Sequence, residues 1–480
     1  AVCAVSSLAY YLGATVEPGE EPLITTDRGF EHRLDGTTRG FVAEVERVLK
    51  QCLLLDCVTR TEGYYPIELH ERNQIEDEVT LDFPDLYGRP LAEQFEAYMK
   101  VPYTVIEPHV PRWKLTVHIE PTVESAEALP YVVRDLAVIR PKESTAPVET
   151  VTETPASLGI DEFVREGESD CADYEPWIAS RREPPVRIDG TDSFEDMWIG
   201  DGVPIGGSKG MVEAFRNHAT RTPSDGDIDI TVVVNDPGMT GESREVNEVY
   251  GSRESLPFDV TVVEQLTTTE LRTVLQRETD FLHYIGHIDD GGFECSDGML
   301  DARDIEETGV DAFFLNACNS YWQAKHLVEA GAIAGVATLT PVPNEEAEAM
   351  GKRLARLLNR GFPLYAALDV ANVGQEHSNY IAIGDSDLDM YQHIPGSISI
   401  LRSDHNMNTG EYSIFYVAYP SGKNLIGSIS KKITSSSRYF LTSGVIGESP
   451  LTESEVSDII SRGDILFICG DDIFWSNEHF

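Results

Sequence analysis

An α/β fold built on a doubly wound, mostly parallel sheet is the fold class that this sequence predicts, and three observations predict it. From about residue 190 onward, short β-branched runs alternate with amphipathic stretches of roughly 10 to 15 residues, the pattern of strand, helix and parallel strand. One of those helices carries its own start signal, Thr267 followed by Glu270, the spacing of a capping box. Another sets Met350, Leu354, Leu357 and Leu358 along one side and stops at Gly361, an apolar stripe with a glycine terminator.

The elements follow in order. AVCAVSSLAYYLGATV, at the start, is uncharged for 16 residues. It lacks a basic leader and falls short of the ~20 apolar residues a span needs, so it reads as a buried helix. VERVLKQCLLL (45–55) reads as helix and WKLTVHIEP (113–121) as strand, which makes residues 1–140 a mixed α+β region. PKESTAPVETVTETPASLG (141–159) is rich in Pro, Thr and Glu and has no apolar period; 141–189 is a linker and lead-in.

The α/β domain spans 190–390. Its expected strands are DIDITVVVND (227–236), FDVTVVEQL (258–266), DFLHYIGHI (280–288), DAFFLNAC (311–318), AIAGVATLT and YIAIGDSDLDM (380–390). Helices are expected at GESREVNEVYGSR, from Thr267, at YWQAKHLVEAG and at NEEAEAMGKRLARLLNRG. Runs such as SISIL, YSIFYVAY and RYFLTSG, separated by Ser, Gly and Asn, make 391–480 a small β-rich region of antiparallel strands.

Composition excludes several functions. The 480 residues carry a formal charge of −45, with 82 acidic residues against 37 Lys plus Arg. Only ten of those 37 are lysine. Acidity spread along the whole chain marks a surface suited to concentrated salt, where charges are screened over about 3 Å at 1 M, as in a haloarchaeal cytoplasm. Nucleic-acid and anionic-membrane partners need a basic patch that the sequence lacks. Seven sparse cysteines, with no CxxC pair, indicate neither a disulfide framework nor a zinc site; a reducing cytoplasm fits.

In doubly wound sheets function sits beyond the carboxyl ends of the strands. His287 and Cys318 fall there, at the ends of two successive strands. A lone cysteine is by default a small buried hydrophobe, but a histidine beside it makes the thiol a nucleophile. His283 shares the strand face of Ile285 and His287 and reads as packed. Cys295 has no such partner and reads as structural. A metal held by His283, His287 and Cys318 is disfavoured because the His-x-x-x-His spacing serves a helix, and this segment is a strand. Gly200–Lys209 has Ser208 where a phosphate loop needs lysine and reads as a turn into the MVEAFRNHA helix. Asp289, Asp290 and Asp297 lie near the expected cleft and leave substrate preference open.

Five pieces in register, HYIGH, CSDGMLDARDI entering a helix, FFLNACNS, GAIAGVATL and IGDSDL, resemble the CHAT peptidases of the caspase and separase clan of cysteine peptidases, over about residues 190–390. The resemblance implies a caspase-like fold, Cys318 as nucleophile, His287 as general base and acid, and peptide-bond cleavage without metal or organic cofactor. It implies an oxyanion site made by the backbone N–H groups of Cys318 and Ile288. Members of the clan commonly carry glycine where this chain has Ile288, so that donor is expected in a conformation glycine reaches more easily. The expected partners are a protein or peptide substrate and a regulatory protein acting through the flanking regions. The alternatives are a catalytically silent interaction scaffold of the same fold, and a cysteine hydrolase or acyltransferase acting on small molecules.

Overall fold

A ten-stranded sheet runs through the chain. The computed structural model describes residues 1–63, 66–142, 183–222, 227–236, 258–289, 291–374, 379–389, 398–405, 412–422, 425–431, 438–447, 450–461, 465–470 and 472–476. In chain order its strands are β1 (Leu115–Ile119), β2 (Val138–Pro141), β3 (Glu195–Ile199), β4 (Ser208–Lys209), β5 (Ile228–Val234), β6 (Phe258–Glu264), β7 (Thr279–Ile285), β8 (Val310–Asn316), β9 (Ala334–Thr338) and β10 (Tyr380–Gly384). Their spatial order is β6-β5-β7-β8-β9-β10-β4-β3-β1-β2. Every neighbouring pair is parallel except β9 with β10. The sheet is therefore two parallel halves of opposite direction.

The mostly parallel α/β sheet agrees with the sequence expectation, and the reversal at β10 is the feature that periodicity does not carry. A strand's own pattern is the same whichever way its neighbour runs. β1 and β2 come from the first 140 residues, so those residues extend the same sheet. β3 and β4, which precede the MVEAFRNHA helix, also went unread because they are short.

Helices cover both faces. Those used below are α1 (Val2–Leu12), α2 (Thr38–Arg60), α3 (Val212–Thr220), α4 (Thr268–Gln276), α5 (Tyr321–Glu329), α6 (Asn344–Leu358) and α7 (Leu364–Ala371). Alternate residues of one strand go to opposite sides, as the pleat requires. Phe281 and Ile285 of β7 pack with Ile230, Phe314 and the Met350, Leu354 and Leu368 side of α6 and α7. Leu282 and Tyr284 pack with Phe313, Leu315, Leu271 of α4 and Leu327 of α5. The capping box at Thr267 and Glu270 is formed at the start of α4.

Other expectations are corrected. α1 buries only Ala4, Ser7 and Leu8, and leaves Val2 and Tyr10 exposed, because it packs on one side, against α2 and β2. CSDGMLDARDI does not enter a helix: it forms the strand Gly298–Leu300 and a single 3-10 turn, Ala302–Asp304. The strand closes a small antiparallel sheet with Ile288–Asp289 and Gly292–Cys295. That sheet depends on Gly292, whose φ is +116° and where a Cβ would stand 2.1 Å from the Leu300 carbonyl oxygen. The expected helix at 241–253 and most of the 141–159 linker lie outside the described residues.

In the C-terminal region, β11 (Ile398–His405), β12 (Tyr412–Tyr419), β13 (Gly444–Val445), β14 (Leu466–Cys469) and β15 (Asp472–Trp475) form a second sheet in the order β13-β12-β11-β14-β15. It is not purely antiparallel, since β11 and β14 run parallel, their connection passing through a helix at Glu453–Ser461. Ile400, Tyr419, Ile468 and Trp475 join the core of α6 and α7, and Arg356 and Arg360 lie 4.8 and 5.1 Å from the Trp475 ring centroid. Among the described residues, no helix is long and apolar enough to cross a membrane.

Candidate active site

Three strands end on one line. Ile285 of β7 is in register with Val234 of β5 and with Asn316 of β8. Two residues beyond each of these stand Asp236, His287 and Cys318. Neighbouring strands run about 4.8 Å apart, so the three residues share the carboxyl edge of the first half-sheet. His287 and Cys318 were placed at this edge by the sequence pattern, though each lies two residues past its strand rather than on it.

Asp236 is the residue that sequence reasoning missed. Its Oδ2 stands 3.2 Å from His287 Nε2; the histidine side chain is 49% exposed and the aspartate only 15%. A signal for it was available. Asp229, Asp280 and Asp311 stand second in their strands, in the same row, and each precedes its site residue by seven positions. Arg221 pairs with Asp280 and Asp311 at 2.9 and 2.7 Å, and Arg277 with Asp229 at 2.6 Å, so each carboxylate of this row has a guanidinium partner at the opposite edge.

The histidine loop is held by its neighbours. Tyr284 donates its hydroxyl toward the carbonyls of His287 and Glu294, at 3.2 and 3.1 Å. Asn235 donates to the Glu294 carbonyl at 2.9 Å and accepts from Leu266 N–H at 2.9 Å. Glu294 N–H donates to the His287 carbonyl. In an antiparallel ladder hydrogen-bonded and non-hydrogen-bonded pairs alternate, so the next pair, Ile288 with Phe293, is of the second kind. Ile288 N–H therefore points away from that ladder, while its side chain is buried. Among the described residues only Leu136, Gln265 and Asn319 have positive φ without being glycine. Ile288 thus does not take the special backbone expected from the glycine of the resembling clan.

Cys318 follows β8 in a turn that leads into α5. Asn319, next to it, has φ of +53°, a left-handed state that Asn tolerates better than most residues. Ser320 and Thr338 lock the turn to the end of β9. Thr338 N–H donates to Ser320 Oγ at 2.9 Å, Ser320 Oγ donates to the Leu315 carbonyl at 3.0 Å, and Thr338 Oγ1 donates to the Ala317 carbonyl at 2.5 Å. The half-buried Cys318 has its Sγ 3.9 Å from the Val342 carbonyl oxygen. It stands three residues ahead of α5.

The other sequence candidates take structural places. His283 is fully buried, its ring 4.8 Å from that of Phe314. Cys295 is buried and donates to the Phe293 carbonyl; burial, with Asp297 and Glu294 nearby, pushes its thiol up to about 11. Asp297 accepts from Thr268 N–H at 2.7 Å at the head of α4, and Asp289 from Gly291 N–H at 2.6 Å; Asp290 lies outside the described residues. Gly200–Lys209 is not the expected turn but carries two short strands, Val203–Ile205 and β4; Lys209 is buried in β4 and donates to the Gly202 carbonyl at 2.8 Å, and burial pushes its amine down to about 8.

No curated protein matches this chain significantly. Among solved structures, the Arg-specific cysteine proteinase gingipain R is similar at a TM-score of 0.38 and 10% identity, over 63% of this chain and 85% of that one. The Porphyromonas gingivalis RgpB pro- and mature-domain complex gives 0.35 and 11%, over 63% and 86%. The Saccharomyces cerevisiae separase–securin complex gives 0.30 and 11%, over 40% of this chain and 15% of that one. Residues 213–381, which carry β5 to β9 and both His287 and Cys318, match the model of the CHAT domain.

Proposed function

We propose that this chain is a cysteine endopeptidase of CHAT type acting on protein or peptide substrates. The observation that supports it best is the row Asp236, His287, Cys318, each two positions beyond strand residues that are in register. In this reading Asp236 holds Nε2 of His287, and Nδ1 faces the thiol. His287 takes the Cys318 proton as the sulfur attacks the scissile carbonyl carbon, forming the C–S bond. The oxyanion is received by Cys318 N–H and Ile288 N–H. Collapse breaks the C–N bond while His287 gives its proton to the departing amine. Water, deprotonated by His287, then cleaves the thioester and restores the thiol.

The flanking regions belong to the same proposal. Residues 1–140 and the C-terminal sheet bring in or respond to a regulatory protein partner, and the enzyme works in the cytoplasm. If the purified full chain cleaves unrelated proteins freely without a partner, this regulatory part fails.

The test is covalent. A library of peptidyl acyloxymethyl ketones is offered to the full chain in multimolar KCl, and the adduct is mapped by mass spectrometry. An adduct on Cys318 that vanishes in His287→Ala supports the reading. Adducts spread over the cysteines without preference count against it.

A further inference from the structure

Resting on the reading of Cys318 as the nucleophile, we infer that Asn316 is a positioning residue that clamps the end of β8 to α6 and β10 and so sets the place of Cys318. The main-chain ladder between β8 and β9 runs only from Ala312 to Phe314 on the β8 side. The register with β7 continues to Asn316. At its last residues β8 is therefore paired in register on one side only, just before the turn that carries the thiol.

The Asn316 side chain supplies the other side. It is 1% exposed. Its Nδ2 donates to the Ala347 carbonyl at 2.8 Å, and its Oδ1 accepts from Tyr380 Oη at 3.0 Å. Ala347 lies in the first turns of α6, which begins just after Val342, whose carbonyl oxygen is near Cys318 Sγ. Tyr380 opens β10, the first strand of the reversed half-sheet. One short amide thus joins the nucleophile strand to a helix on its face and to the strand beyond β9.

The chemistry needs a donor and an acceptor on one planar group. Aspartate would set a carboxylate oxygen against the Ala347 carbonyl, and an apolar residue would leave that carbonyl and the Tyr380 hydroxyl without this partner. Ser320 and Thr338 hold the turn after Cys318, and Asn316 holds it before. A nucleophile and its backbone N–H need placement to well under an ångström, since a misplacement of about 1 Å costs about 100-fold in rate.

The experiment compares the full-length wild type, Asn316→Ala and Tyr380→Phe in multimolar KCl. It measures kcat and KM on the fluorogenic peptide that the wild type cleaves best, the pH profile of Cys318 alkylation by iodoacetamide, and thermal unfolding. Asn316→Ala is expected to lose about 100-fold in kcat with KM within about 3-fold. Tyr380→Phe, which removes one hydroxyl and keeps the ring, is expected to lose about 10-fold in kcat. An unchanged kcat in folded Asn316→Ala overturns the inference. If Asn316→Ala does not fold, an unchanged kcat in Tyr380→Phe does so. If the wild type turns over no peptide, the peptidase reading has failed on its own, and the alkylation profile decides the clamp. A profile displaced in Tyr380→Phe supports the clamp, and one that superimposes on the wild type overturns it.

Discussion

Asp236 Oδ2 stands 3.2 Å from His287 Nε2, with the carboxylate mostly buried and the imidazole half exposed. In the proposed mechanism this contact fixes the Nε2 side of the ring and leaves Nδ1 to face the thiol. Asp236→Asn is expected to lower kcat by about 10- to 100-fold with little change in KM. Steady-state kinetics on the best fluorogenic peptide checks it; equal kcat in the folded variant would remove Asp236 from the site.

Thiol chemistry separates Cys318 from other cysteines. Burial pushes the Cys57 thiol up to about 12, with Asp56 adding to it, and Cys295 is raised to about 11. At pH 7.5 a thiol of pKa 11 is ionised in about one molecule in 3000. Limiting iodoacetamide should therefore label Cys318 before Cys57 and Cys295. Peptide mapping against time gives the order.

Glu195, in β3, is fully enclosed, and burial raises its carboxyl from 4.5 to about 7 although Ser208 and Ser386 donate to it. A carboxyl raised in the folded state binds its proton more tightly there than in the unfolded chain. Its contribution to stability is complete below about pH 4.5 and is lost as pH rises to about 7. Glu195→Gln removes that dependence. Denaturant titrations at pH 5 and pH 8 should show the variant gaining on the wild type at the higher pH, by on the order of 2–3 kcal/mol.

The C-terminal sheet completes the α6 and α7 core. Trp475, the last residue of β15, is buried with Arg356 of α6 and Arg360 just beyond it over its ring. Trp475→Ala should cost about 3–5 kcal/mol, read as a lower unfolding midpoint. Deleting residues 391–480 should expose the apolar side of α6 and α7 and yield aggregated protein on size exclusion. A monomeric, cooperatively folding truncation would show that residues 1–390 close that core without the second sheet.

Much of the fold was legible because the first half-sheet is regular. The five strands β5 to β9 and helices α4 to α6 follow from β-branched runs, a capping box and an apolar stripe. β3 and β4 were not legible, since two- to five-residue strands with Trp198 and Lys209 inside carry no period. α7 was missed because LYAALDVA is buried nearly all round and has no polar face to set a phase. Of the site, His287 and Cys318 could be placed from strand ends. Asp236 could not be placed without aligning β5 with β7 and β8 from their leading aspartates, which needs the knowledge that they are neighbours.

The central claim is that Cys318 and His287 cleave peptide bonds. Wild type, Cys318→Ala and His287→Ala, each shown to be folded by circular dichroism in multimolar KCl, are given a positional-scanning library of fluorogenic peptides. The account predicts turnover by the wild type and background rates in both variants. Turnover by Cys318→Ala equal to that of the wild type, or none by a folded wild type, would contradict it.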